Sequence, residues 1–105
     1  MPTPTDDNRD LLTVIAYMKA APGKEDELRE TLEALVEPTQ KEDGHHTYAL
    51  HRGVEDPSLF IFYENWTSAE HLDAHLAAPH LQAFLPKIPD LVEGELVLNR
   101  VRRIA

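Results

Sequence analysis

The sequence predicts an α+β fold of the ferredoxin-like kind, with elements in the order β-α-β-β-α-β. Three observations carry this. Four runs rich in strand formers lie at about 11–19, 45–53, 59–66 and after Gly94. Helical patterns fill the gap between the first and second runs and the gap between the third and fourth. The first and third runs, LLTVIAYM and LFIFYENW, are the most uniformly apolar. Those two are the central pair in this topology, and the more polar second and fourth runs suit its edges.

The first strand ends at AAPG. A helix follows from Lys24 to about Lys41, with Leu28, Leu32, Leu35, Val36 and Thr39 on one face. Gly23 is an acceptable N-cap, and Glu25, Asp26 and Glu27 sit where the positive end of the helix dipole favours anions. Glu25 with Arg29, and Glu37 with Lys41, have the favourable i,i+4 order. Pro38 is expected to kink the last turn or end the regular helix near Val36. Glu42-Asp43-Gly44 stops the helix, HHTYALHR forms the second strand, GVEDPS turns, and LFIFYENW forms the third. Thr67 and Glu70 have capping-box spacing for the next helix, in which Leu72, His75 and Leu76 share a face. Pro79 lets a second segment start, with Leu81, Phe84, Leu85 and Ile88 at helical spacing, and Pro86 and Pro89 loosen its end. ELVLNRVRRI after Gly94 is the fourth strand.

Two helices cover one face of a four-stranded sheet, yet the third strand is apolar on both. Leu59, Ile61 and Tyr63 point one way, Phe60 and Phe62 the other. Leaving several such side chains in water would forfeit on the order of 5–10 kcal/mol at roughly 25 cal/mol per Å². A homodimer packed sheet to sheet is therefore expected.

At 105 residues the chain is one domain, read as 11–105, after a polar tail over 1–10 that is expected to be disordered. There is no cysteine, so thiol chemistry, thiolate metal sites and disulfides are excluded. No apolar run approaches the ~18 residues of a membrane span. The acidic start is unlike a secretory signal, so a cytoplasmic location is expected. A formal net charge of −9 without a basic stripe argues against nucleic acid and membrane partners. No phosphate loop or nucleophile elbow is present.

The segments LTVIAYMKAAPGK, EPTQKEDGHHTYALHR and YENWTSAEHLDAHLAAPHLQAF carry an ordered set of signals: Pro-Gly, Glu-x-Gly-x-x-x-Tyr, Glu-x-Trp and Leu-x-x-His-Leu. With the terminal strand, residues 11–103 resemble the antibiotic biosynthesis monooxygenase superfamily, most of all its quinol monooxygenase-like branch. The resemblance implies a dimeric α+β barrel. It also implies a monooxygenase that needs no cofactor and oxidises a quinol or anthrone-like aromatic with O2. Related branches degrade haem or isomerise a phosphorylated sugar-like signal. The haem-degrading pattern includes an asparagine on the first strand, which LLTVIAYM lacks, and no basic residues converge for a phosphate. A non-catalytic small-molecule-binding dimer is the other alternative.

The candidate catalytic residues are His75, Trp66 and Glu64. His75 lies on an apolar helical face; its bland reading is a satisfied core histidine, its functional one a base. Trp66 offers a flat wall and one N–H, or merely fills the core. Glu64 shares a strand face with Phe62 and Trp66; it anchors structure or assists proton transfer, and burial would raise its pKa. Tyr48, Tyr63, Phe62 and Leu72 are the expected pocket lining. His71 and His75 have the i,i+4 spacing of paired metal ligands, but no third ligand is evident, so no metal is expected.

Overall fold

The computed structural model describes residues 10–105. Its elements are β1 (Leu12–Ala20), α1 (Glu25–Gln40), β2 (His45–Arg52), β3 (Leu59–Trp66), α2 (Ala69–Leu76), α3 (Pro79–Phe84), a 3-10 turn at Leu85–Lys87, α4 (Ile88–Leu91) and β4 (Val92–Val101). The sheet order is β2-β3-β1-β4, and every neighbouring pair is antiparallel. This is the ferredoxin-like α+β arrangement, with β1 and β3 at the centre. Among the described residues no helix is long and apolar enough to cross a membrane. Residues 1–9 of the expected tail lie outside the described residues.

Strand alternation divides the sheet into two faces. Val14, Ala16, Met18 and Ala20 of β1 join Phe60, Phe62, Glu64 and Trp66 of β3 on the buried side. Leu28, Leu32, Leu35 and Thr39 of α1, with Leu72, Leu81, Phe84 and Leu91 from the later helices, close that core. On the opposite face Ile15, Tyr17, Tyr63 and Val101 remain 38–39% exposed.

Several local features depart from the sequence reading. α1 runs through Pro38 to Gln40. Proline at that position removes only the bond to the Ala34 carbonyl, and continuing the helix buries Thr39 completely. Lys24, not Gly23, is the N-cap of α1, and its side chain makes no capping bond. Arg29 pairs with Glu33 at 3.6 Å rather than with Glu25, whereas Glu37 and Lys41 pair at 3.4 Å. Ser68, not Thr67, caps α2, its Oγ accepting from the His71 amide at 3.3 Å. Thr67 instead bonds Nε2 of His46 at 2.8 Å and donates to the Gly44 carbonyl.

β4 starts at Val92, ahead of Gly94 rather than after it. Tyr17 opposes Val97 and Lys19 opposes Glu93, so four steps along β4 match two along β1. Gly94, at φ +78°, takes up the resulting bulge. A second bulge at His45/Thr47 inserts His46 opposite the end of β3.

Candidate functional site

The site grows from the inner face of β3. Period-two alternation sets Phe62, Glu64 and Trp66 in a row toward the helices. The Trp66 indole Nε1 donates to Oε1 of Glu64 at 2.9 Å, although the two residues are only two positions apart. Glu64 lies across from Val14 on one side and Tyr48 on the other. Burial pushes its carboxyl up to about 7; the indole bond pulls the other way, and the charge of Glu42 adds to the rise. Tyr48, stacked on Phe62 with ring centroids 4.6 Å apart, has its hydroxyl pKa raised by burial and then by the Glu64 charge.

α2 supplies the opposite wall. Leu72 and His75 share its buried face. The His75 ring centroid is 4.7 Å from that of Trp66 and 5.3 Å from that of Tyr48. Its Nδ1 lies 2.7 Å from Oε2 of Glu42. Burial lowers the His75 pKa below its ordinary value, and the Glu42 hydrogen bond and charge oppose that shift.

Glu42 stands in the turn after α1, its amide bonded to the Thr39 carbonyl at 3.0 Å. His80 enters on α3, directly after Pro79. Its Nε2 is 2.9 Å from the same Glu42 oxygen and 3.1 Å from Oγ1 of Thr39. The turn is held in place by Gly44, which has φ +78°. The His71 ring occupies the space that a Cβ at Gly44 would need.

Between these walls lies an apolar cavity of about 40 Å³. Tyr48, Phe62, Glu64 and His75 line it together with Ala16, Met18 and leucine and phenylalanine side chains from α1, α3 and β4. No buried side-chain nitrogen or oxygen among the described residues lacks a partner. The second oxygen of Glu64 and Nε2 of His75 make no protein hydrogen bond, and both side chains line this cavity.

Of the expected site residues, Tyr48, Phe62, Glu64 and His75 therefore meet at one cavity. Trp66 sits one layer behind, fully buried against Glu64 and His75. Leu72 is buried on the His75 face of α2 without lining the cavity. Tyr63 stands on the other face of the sheet. His71 does not share a site with His75; its Nδ1 is 2.7 Å from Oγ of Ser68. The sequence reading places Thr39 on the buried face of α1, Glu42 in the stop after it and His80 near the His71/His75 pair, but assigns none of them to the site. The available signals were Glu42 opening the Glu-x-Gly-x-x-x-Tyr stretch and His80 following Pro79.

Donor atoms of Glu42, His75 and His80 all lie within 4.8 Å of one another, a composition that could hold a divalent metal. Their separations from the shared oxygen, 2.7 and 2.9 Å, are those of hydrogen bonds.

The family model described as "Antibiotic biosynthesis monooxygenase" matches residues 11–87. YgiN of Escherichia coli (strain K12), described as a probable quinol monooxygenase, is 30% identical over 102 residues, covering 88% of this chain and 94% of its own. The crystal structure of PA3566 from Pseudomonas aeruginosa is similar at a TM-score of 0.87 and 32% identity, covering 93% of this chain and 98% of that one. A conserved protein from Methanosarcina mazei Go1 reaches the same TM-score of 0.87 at 24% identity, covering 94% and 98%, and so shares the fold. With its ferredoxin-like sheet and that family's pattern running from β1 into the 3-10 turn, the chain belongs to the antibiotic biosynthesis monooxygenase superfamily, in its quinol monooxygenase-like branch.

Proposed function

We propose that the protein is a cofactor-independent monooxygenase that oxidises a quinol or anthrone-like aromatic substrate with O2. One observation carries this reading: two titratable groups, Glu64 and His75, open onto one apolar cavity and are pushed in opposite directions by their surroundings. Such a pair divides acid from base. Near neutral pH His75 is the uncharged partner, and Nε2 takes the phenolic proton. The resulting aromatic anion is electron-rich and passes an electron to O2, and the two radicals combine into a peroxide. Glu64, which holds its proton up to about pH 7, donates it as the O–O bond breaks, and the His75 imidazolium returns the phenolic proton, so the outer oxygen leaves as water. The hydrogen on the oxygenated carbon passes as a proton to the Glu64 carboxylate, its bonding pair completes the new C=O, and the other oxygen stays on the ring carbon. The substrate loses two hydrogens, gains one oxygen and supplies all four electrons. Trp66 orients Glu64 through its N–H and backs the His75 ring.

A cavity of about 40 Å³ holds about three waters. An aromatic ring requires about 150 Å³. Entry therefore needs the wall made by Leu76, Leu81, Phe84 and Leu85 to swing outward. That wall belongs to short helical pieces interrupted by Pro79, Pro86 and Pro89, which can shift as separate units. The working form is a homodimer of single domains spanning residues 11–105, its subunits joined over the sheet face that carries Ile15, Tyr17 and Tyr63.

Oxygen uptake by metal-free protein over a panel of quinols tests the proposal. Turnover above buffer autoxidation, with one labelled oxygen retained in the product, is expected, along with at least a tenfold loss in His75→Ala. No quinol oxidised above background, and no change in the His75 or Trp66 variants, would rule it out. A quinol that binds tightly and survives unchanged in air would favour a non-catalytic carrier.

A further inference from the structure

We propose that Glu42 is the positioning residue of this site: a single carboxylate oxygen accepts from Nδ1–H of His75 and Nε2–H of His80, leaving Nε2 of His75 bare toward the cavity. The inference rests on the acid–base reading above.

A neutral imidazole carries its one proton on either nitrogen, and only the bare nitrogen is a base. His75 is 2% exposed, and the protein group that hydrogen-bonds its ring nitrogen is Glu42. A carboxylate oxygen only accepts, and at 2.7 Å the His75 Nδ1 must carry the hydrogen. Nε2 is then unprotonated, and it is the nitrogen that makes no protein hydrogen bond. When His75 takes up a proton, the same carboxylate lies against the imidazolium and stabilises it, the role of the third member in a catalytic triad.

The carboxylate is itself held in place. Its Oε2 lies 2.9 Å from His80 Nε2, and the Thr39 hydroxyl braces that ring at 3.1 Å. Three elements thus fix one atom: the end of α1, α2 and α3. The same donors could hold zinc, but edges of a tetrahedral zinc site with bonds of 2.0–2.1 Å measure about 3.3 Å. The observed 2.7 and 2.9 Å to the shared oxygen fit two converging N–H···O bonds.

Ring-nitrogen NMR of 15N-histidine-labelled full-length protein tests this without substrate or turnover. The His75 signal, assigned by its loss in His75→Asn, is expected to show a protonated Nδ1 and a bare Nε2. In Glu42→Ala the pattern is expected to move toward Nε2–H, and in His80→Asn part of the way. Glu42→Gln keeps the shape while removing the charge; kcat is expected to drop about a hundredfold with KM nearly unchanged. A wild-type His75 protonated at Nε2, a tautomer indifferent to Glu42, or stoichiometric zinc that is lost in Glu42→Ala would each overturn the proposal. If no quinol is oxidised but the tautomer follows Glu42, the oxygenase reading fails and the positioning of His75 stands.

Discussion

At the scale of the residue, the site is organised around a carboxyl whose surroundings favour its neutral form. The folded chain binds the Glu64 proton more tightly than the unfolded chain, with a pKa of about 7 against an ordinary 4.5. Stability therefore falls as pH rises through that interval, and the penalty, about 3 kcal/mol before relaxation, is complete above it. His75 has the opposite slope: its lowered pKa costs stability as the solution becomes acid. Glu64→Gln keeps an acceptor for the indole and removes the charge. It is expected to exceed wild type in urea-unfolding stability by about 1–3 kcal/mol at pH 8, the gap closing by about pH 4.5. Equal stability at both pH values would mean that Glu64 titrates normally. On the proposed mechanism the same groups shape the rate. A bell-shaped kcat/KM is expected, with its alkaline limb near 7; Glu64→Gln should be slower and should lack that limb. Much of this was legible in the chain. Strand alternation put Phe62, Glu64 and Trp66 on one face, and helical spacing put His75 on a buried one. Glu42 was not legible, since it meets His75 and His80 across 33 and 38 residues of sequence. Tyr63 landed on the far side because alternation separates two apolar faces without saying which one the helices take.

At the scale of the element, order and type followed from the apolar runs, while the ends did not. Thr67 and Ser68 are adjacent and chemically equivalent caps; the choice fell to Ser68 because the bulge at His46 engages Thr67. Pro38 allows either a kinked last turn or an end near Val36; the helix runs on to Gln40, and Thr39 in that last turn is fully buried. The run from Pro79 to Leu91 resolves into two short helices and a 3-10 turn because Pro86 and Pro89 withhold amides needed for one continuous ladder. Phe84 is the largest side chain that this segment places on the cavity. Phe84→Ala is expected to lower stability by about 3–5 kcal/mol while admitting bulkier quinols, seen as a fall in their KM relative to the smallest one. Unchanged size selectivity would mean that substrate enters elsewhere.

At the scale of the whole molecule, one sheet face is committed to the helices and the other keeps large apolar groups at its centre. Ile15 and Tyr63 are cross-strand partners there, each more than a third exposed. The apolar character of both strand faces made this visible in the sequence; which residues lie at its centre needed the register. Ile15→Asp is expected to weaken self-association by at least about a hundredfold in sedimentation equilibrium, with the helical core intact by circular dichroism. A wild-type chain that sediments as a monomer at micromolar concentration would remove the need for a sheet-to-sheet partner.

Position 44 carries a lesson for anyone transplanting this cluster to another scaffold. The imidazole of residue 71 rests where any larger amino acid would have to put its first carbon, so the loop bearing Glu42 and the helix bearing His75 are keyed together by a missing side chain. Copying only the clustered side chains would leave out the hydrogen atom that sets their spacing.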